Sequence, residues 1–494
     1  MTRARTDFSL PIALEPGASP LYRQVYDWVQ RAIVDGRLKP GQRVPSTRRL
    51  AAELRVSRVP ILTAFEQLHA EGYLESTIGA GTRVAASMPE QALRSLPRRR
   101  PAEACGPRRV SQQAAEALSQ PDQLGPPSTL GAFRVSLPAL DAFPAKLWAS
   151  LLARHARRAA PDLMDYSDPM GHLPFREALA EYLGAARGVR CEAAQVMVVS
   201  GSQQGLQLAA SALLDPGDAV WIEEPGYPGA QRAFAAVGAE LVPLPTDAQG
   251  LDVAAGVLRR PDARAAYVTP AHQYPLGVTM SASRRVSLLN WAAAANAWIF
   301  EDDYDSEFRF ESRPFASLQG VDEGHRVIYF GTLSKVLFPG LRIGYVVVPT
   351  DLVDAFRAVR TAMDIFPSAL FQAALADFFR EGHFARHIRR MRLLYMNRAT
   401  RLADAIQRAC GGRLELAGPP AGMHLSVYLP PGVDDASVAR RALRQGVTVL
   451  PLSAFHLAQP SRPGLVLGFG DADEAAIDRG VEVLAQVLRD PASG

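Results

Sequence analysis

The sequence predicts an α/β protein in three parts: a small helical module with a hairpin over residues 18–86, a linker over 87–130, and a large domain of alternating strands and helices over 131–490. Three observations carry this prediction. Two short capped helices follow one another near the start, a Pro- and Arg-rich stretch without apolar period comes next, and six short apolar runs then recur between helical stretches.

Composition frames the reading. The 494 residues are 48% hydrophobic, which suits a globular chain with two or three cores, and a net charge of +4 permits contact with nucleic acid without requiring it. Cys105, Cys191 and Cys410 lie far apart, so neither a disulfide framework nor a metal pattern is expected, and no metal is assigned. The first residues lack an apolar core of signal-peptide length and no run is long enough to span a bilayer. A soluble protein in a reducing cytoplasm is the expectation.

In the first part, "PLYRQVYDWVQRAIVDGRL" spaces Leu21, Val25, Trp28, Val29, Ala32 and Ile33 helically, and Gly36 ends the run. "PSTRRLAAELRV" then opens on Ser46 as an N-cap, and "SRVPILTAFEQLHAEGYL" on Ser57 as another. Pro60 falls at the third helical position, where its missing N–H costs nothing. Two capped helices in tandem, the second beginning Ser-Arg, predict a helix-turn-helix whose second helix enters a major groove, and "GYLESTIGAGTRVAA" predicts a hairpin wing. A small packing module with solvated arginines is the plain alternative.

The linker carries Arg94, Arg98, Arg99, Arg100, Arg108 and Arg109 among prolines, serines and glutamines. It reads as a solvated tether, and its arginines are also able to lie along phosphates and add salt-sensitive affinity.

In the large domain, "QVMVVS", "AVWIEE", "AAYVTP", "AWIFEDD", "RVIYFGT" and "IGYVVVP" are short apolar runs that alternate with helical stretches, as strands of a mostly parallel sheet with both faces covered should. Sites in such sheets lie beyond the carboxyl ends of the strands. There "GTLSKVLFPGLRIGY" holds Lys335, one of three lysines in a chain that otherwise uses arginine. An uncharged amine condenses with an aldehyde to a Schiff base, which a guanidinium cannot do. "AWIFEDDYDSEF" sets Asp302 and Tyr304 two apart and therefore on one side of a strand, with Asp303 on the other. A carboxylate there can keep a pyridine nitrogen protonated and a phenol can bond a ring oxygen. Gly201 and Ser202 turn a strand into a helix and offer N–H groups to a phosphate, with Arg342 as an ionic partner and Tyr227 as a stacking ring. Singly, each has a dull alternative: a surface lysine, a solvated acid, a turn, a core ring.

The stretches "GRLKPGQRVPSTRRLAAELRVSR" and "AFEQLHAEGYLESTIGAGTRV" resemble the winged helix-turn-helix of the GntR family over some sixty residues. The resemblance implies operator DNA as partner, with Ser46, Arg48, Arg49, Ser57 and Arg58 at the contacts. Pro60 departs from it, since similar domains carry a polar residue there. "EDDYDSEFRF", "TPAHQYPLG" and "GTLSKVLFPGLRIGY" resemble the MocR/GabR subfamily, in which this wing joins a fold-type I aminotransferase-like domain. That implies pyridoxal 5'-phosphate held as an aldimine on Lys335, with Asp302 at the pyridine nitrogen, Tyr304 at the ring hydroxyl and Tyr227 on the ring face. Gly201, Ser202, Gln203, Thr332 and Arg342 would surround the phosphate, and Tyr166 would reach it from the other subunit of a homodimer with exchanged domains.

Two further departures concern turnover. Val466 stands where similar enzymes carry the carboxylate-binding arginine, and Tyr274, Pro275, Leu276 and Gly277 replace an Asn-Pro-Thr-Gly turn. Arg440 and Arg462 are the candidate replacements for the clamp. A regulator that senses the cofactor or an amino compound is the expected function. An active aminotransferase with an accessory DNA-binding domain is the alternative.

Overall fold

The computed structural model describes residues 19–77, 81–86, 131–158, 161–310, 316–458 and 462–489, with a few single positions besides. The chain forms two compact units, Met1–Val110 and Ser111–Gly494. Arg94 to Arg108 of the expected linker lie outside the described residues, and Arg109 is exposed.

The first unit packs three helices, α1 Leu21–Val34, α2 Thr47–Leu54 and α3 Arg58–Ala70, against a hairpin of β1 Leu74–Thr77 and β2 Gly81–Val84. Val25, Val29, Ala32 and Ile33 line the buried face of α1 as their spacing predicts, but Leu21 is exposed and Tyr26 takes a core place instead. Ser46 caps α2 by accepting from the Arg49 N–H at 3.3 Å. Ser57 holds the N-capping position of α3 without a cap bond, so its exposed hydroxyl is not used in closing the helix start. Pro60 is the third residue of α3, where the helix has no acceptor for an N–H. The hairpin pairs Leu74 with Val84 and Thr77 with Gly81, and residues 41–44 run beside β2 through the Val44 N–H to Thr82 and an Arg43–Arg83 bridge. That third partner of the wing had no apolar signature.

The second unit is built on an eight-stranded sheet in the order β3-β10-β9-β8-β7-β4-β5-β6. Its strands are β3 Val196–Val199, β4 Ala219–Glu224, β5 Glu240–Asp247, β6 Gly250–Leu251, β7 Ala265–Val268, β8 Trp298–Asp303, β9 Val327–Thr332 and β10 Gly344–Val347. All six predicted runs are strands of this sheet. The sheet is mixed, because β10 runs antiparallel to both β3 and β9, and β6 to β5. β3, β4, β7, β8, β9 and β10 are buried along almost their whole length, since helices cover both faces. A second, antiparallel sheet in the order β11-β12-β14-β13 comprises Glu415–Leu416, His424–Tyr428, Leu450–Pro451 and Gly464–Gly468. Residues 132 and 133 attach to it through the Thr448 N–H to Ala132 and the Gly468 N–H to Phe133. No helix among the described residues is long and apolar enough to cross a membrane.

Candidate functional site

Strands β4, β7, β8 and β9 are mutually parallel and β3 points the same way, so their carboxyl ends share one edge of the sheet. Lys335 follows β9 at that edge. Its amine is half-buried and donates to the Ser136 carbonyl at 3.4 Å, and burial lowers its pKa to about 8 against the partial compensation of Asp305 and Asp302. An amine so depressed is a competent nucleophile near neutrality.

Asp302, next to last in β8, lies at the same edge. Tyr267 donates its hydroxyl to Asp302 Oδ2 at 2.8 Å, whereas Oδ1 is buried without a partner. Burial raises this carboxyl to about 7, with the Tyr267 bond opposing. A buried acceptor left open is costly unless a donor arrives, and a protonated ring nitrogen is such a donor. Asp303 points the other way into a buried ion pair with Arg187 and also accepts from Tyr329 at 2.6 Å. The period-two phase expected from the sequence therefore holds.

The turn after β3 prepares a place for an anion. Gly201 has φ +91° and caps the helix Ser202–Leu213, and a Cβ on it would stand 3.3 Å from the Arg342 guanidinium. Arg342 is anchored over this turn by donating to the Ser200 carbonyl at 2.8 Å. Gln203 spends its side-chain amide on the Gly229 carbonyl at 2.9 Å, so its contribution to an anion is its helix N–H rather than the side chain. Thr332 ends β9 and its Oγ1 accepts from the Ser334 N–H at 3.1 Å, while the Ser334 hydroxyl is buried without a partner.

Tyr227 caps the helix Pro228–Ala236 and meets Tyr274 edge-on, and Tyr274 in turn meets Tyr304. Tyr304 oxygen lies 3.0 Å from His272 Nδ1, which also faces both oxygens of Asp305 at 3.0 and 3.1 Å. A carboxylate only accepts, so Nδ1 donates to Asp305, and the buried Nε2 has no hydrogen-bond partner. Gly422, at φ +61°, makes room for this pair, because a Cβ there would fall 2.1 Å from Asp305 Oδ2. His424 closes the group, held by the Pro275 carbonyl at 3.1 Å and pushed down to about 4 by burial.

Val466 is fully buried among Tyr274, Leu276, Leu452 and Phe455. Neither candidate replacement stands in for an arginine there: Arg462 pairs with Glu415 and lies over the Tyr428 ring, and Arg440 faces Asp434 at 3.7 Å. Tyr166 is 81% exposed and its ring meets Phe366 edge-on.

Sequence reasoning missed Ser136, Tyr267, His272, Asp305 and His424. His272 and Asp305 sit inside motifs that were singled out, so the signal was present but unassigned. His424 lies on the second sheet and Ser136 in a turn just after the segment that attaches to it, and no local pattern marks them.

In the first unit, Arg48, Arg49, Ser57 and Arg58 are exposed around the start of α3. Arg49 pairs with Glu53 at 2.7 Å and Arg58 donates to Thr47 Oγ1 at 3.2 Å, so a phosphate or base would exchange with these partners.

Comparison with known proteins agrees with both halves. Residues 21–84 match the gntR family of bacterial regulatory proteins and residues 140–483 match aminotransferase class I and II. The chain is 41% identical to the probable rhizopine catabolism regulatory protein MocR of Rhizobium meliloti, over 94% of this chain and 93% of that one. It is 31% identical to the pyridoxine biosynthesis transcriptional regulator PdxR of Corynebacterium glutamicum, over 94% and 95%. Among solved structures, kynurenine aminotransferase of Pyrococcus horikoshii, in complex with PMP, is 28% identical with a TM-score of 0.69 over 77% of this chain and 95% of that one.

Proposed function

Because the chain belongs to the MocR type of gntR-family transcription regulators, which join a helix-turn-helix domain to an aminotransferase class I and II domain, we propose that its large domain senses pyridoxal 5'-phosphate, or an amine reacting with it, at Lys335. The observation that carries this reading is one sheet edge bearing a depressed lysine, a buried carboxylate with an open oxygen and a glycine-capped helix start under an arginine. When bound, the cofactor supplies a carbonyl that condenses reversibly with amines. The protein's part is to hold it. Lys335 offers the attachment amine, Asp302 Oδ1 accepts from the ring nitrogen, and Tyr304, oriented by His272, faces the ring hydroxyl. Tyr227 covers the ring, and the helix N–H groups of Ser202 and Gln203 with Arg342 and Thr332 receive the phosphate.

The fully buried apolar surroundings of Val466 support sensing over turnover of an α-amino acid, whose carboxylate would be stranded there. The exposure of Tyr166 and of Met164, Ile365 and Phe371 supports a homodimer in which a second copy covers them and receives Tyr166 at its phosphate. The test is direct. Full-length protein incubated with pyridoxal phosphate should absorb in the visible, borohydride should tag the peptide containing Lys335, and mixtures of amino donors with a keto acceptor should give no steady turnover. A tag on Lys39 or Lys146, or sustained transamination, overturns the reading.

A further inference from the structure

Helix α3 presents two faces. Ile61, Ala64, Phe65 and Leu68 are buried at 0–4% exposure, whereas Val59, Leu62, Thr63 and Glu66 form an exposed stripe at helical spacing. Val59 is 69% and Leu62 40% exposed, and both follow directly on the basic start of the helix, beside the exposed side chains of Arg58, Arg48 and Arg49. The polar groups of this end are largely committed elsewhere: the Thr63 hydroxyl donates back to the Val59 carbonyl at 3.2 Å, and Pro60 has no N–H to give. What the helix offers to a groove between its arginines and Glu66 is therefore hydrocarbon.

In a major groove the one hydrocarbon feature of a base edge is the C5-methyl of thymine. We infer that Val59 and Leu62 are specificity-determining residues that read thymine methyl groups, beside the bases or phosphates taken by Arg58 and Ser57. The occupant follows from continuity: the stripe extends the basic, DNA-facing end of the helix, and a positive rim around an apolar strip matches a groove walled by phosphates. Pro60 contributes by removing a donor that would otherwise compete for a base acceptor. The rise of 1.5 Å per residue puts Val59 and Leu62 about 4.5 Å apart along the helix, enough to touch neighbouring base pairs. This inference rests on the DNA-binding role of the gntR-type domain.

The experiment uses the full chain. Duplexes are selected from a random library, and in the enriched sequence each thymine is replaced in turn by deoxyuridine, which removes the methyl alone. One or two thymines should weaken binding about fourfold when demethylated. Val59→Ala and Leu62→Ala should each abolish the sensitivity at one of these positions while thermal unfolding stays unchanged, and Leu21→Ala, another exposed apolar site of this unit, should leave it intact. Failure to enrich any sequence would overturn the DNA-binding premise itself. An enriched sequence indifferent to deoxyuridine, or a sensitivity that persists in both variants, overturns the methyl reading. So would variants that alter oligomeric state and not DNA affinity, since that outcome assigns the stripe to a protein partner.

Discussion

With its pKa lowered to about 8, Lys335 is unprotonated in roughly one molecule in ten at pH 7, against fewer than about one in a thousand for a free lysine. The rate at which cofactor-free protein captures pyridoxal phosphate should therefore rise with pH and level off above about 8, as stopped-flow absorbance would record. Asp305 and Asp302 both favour the charged amine, so Asp305→Asn should move that plateau to lower pH. The paired carboxylates of β8 separate cleanly. Asp302 is raised from 3.8 to about 7 when buried without a ligand, so the folded protein keeps its proton where the unfolded chain has released it, and stability falls as pH climbs through that window. Asp302→Asn should accordingly leave the cofactor-free protein as stable or more so at pH 8, yet change the visible spectrum of the bound form. Asp303→Asn should do the reverse: it breaks a buried pair with Arg187 and should cost about 3–5 kcal/mol in denaturant unfolding, with little spectral change when the protein is folded. A large spectral change in both variants would show that the two sides of β8 are not independent.

At the scale of elements, the helix-turn-helix depends on how two helices begin. Ser46 caps α2 through its hydroxyl, so Ser46→Ala should destabilise the N-terminal unit by about 0.5–2 kcal/mol. Ser57 makes no such bond, and Ser57→Ala should cost DNA affinity without that loss of stability. Arg58→Ala should weaken specific binding by about 1–3 kcal/mol if the guanidinium reaches a guanine edge, measured by titration of the selected duplex. In the large domain the helix after Gly201 has the equivalent dependence. Gly201→Ala places a side chain at φ +91° and against Arg342, which should lower phosphate affinity more than fold stability.

For the whole molecule, Tyr166 makes the dimer testable without a structure of it. Lys335→Ala and Tyr166→Ala chains should each bind pyridoxal phosphate poorly alone, and their mixture should recover sites built from Lys335 of one chain and Tyr166 of the other. No recovery on mixing would refute a shared site. If a ligand at Lys335 changes DNA affinity, DNA must change that ligand's affinity by the same factor, because both are one coupling free energy. Parallel titrations of operator duplex with and without the amine, and of amine with and without the duplex, check this equality.

The sequence by itself determined the strands and much of what stands at their ends. Six largely apolar runs mark six buried strands because a sheet covered by helices on both faces leaves few polar positions, and period-two alternation assigned Asp302 and Asp303 to opposite sides because that geometry is local. The capping positions at Ser46 and Ser57 were legible for the same reason, since a helix start is a matter of a few adjacent residues, although only Ser46 makes the cap bond. Tertiary structure decided what adjacency does not encode. Ser136 meets Lys335 across 199 residues and His424 meets Pro275 across 149, and both depend on how the second sheet docks beside the first. It also decided that Arg440 and Arg462 turn to Asp434 and Glu415 instead of replacing the clamp at Val466, that Gln203 spends its amide on Gly229, and that Val59 and Leu62 are left uncovered on α3. In each case the residue's type was readable in the sequence, but its partner was set by packing, because burial and pairing energies act between surfaces that meet only once the chain has folded.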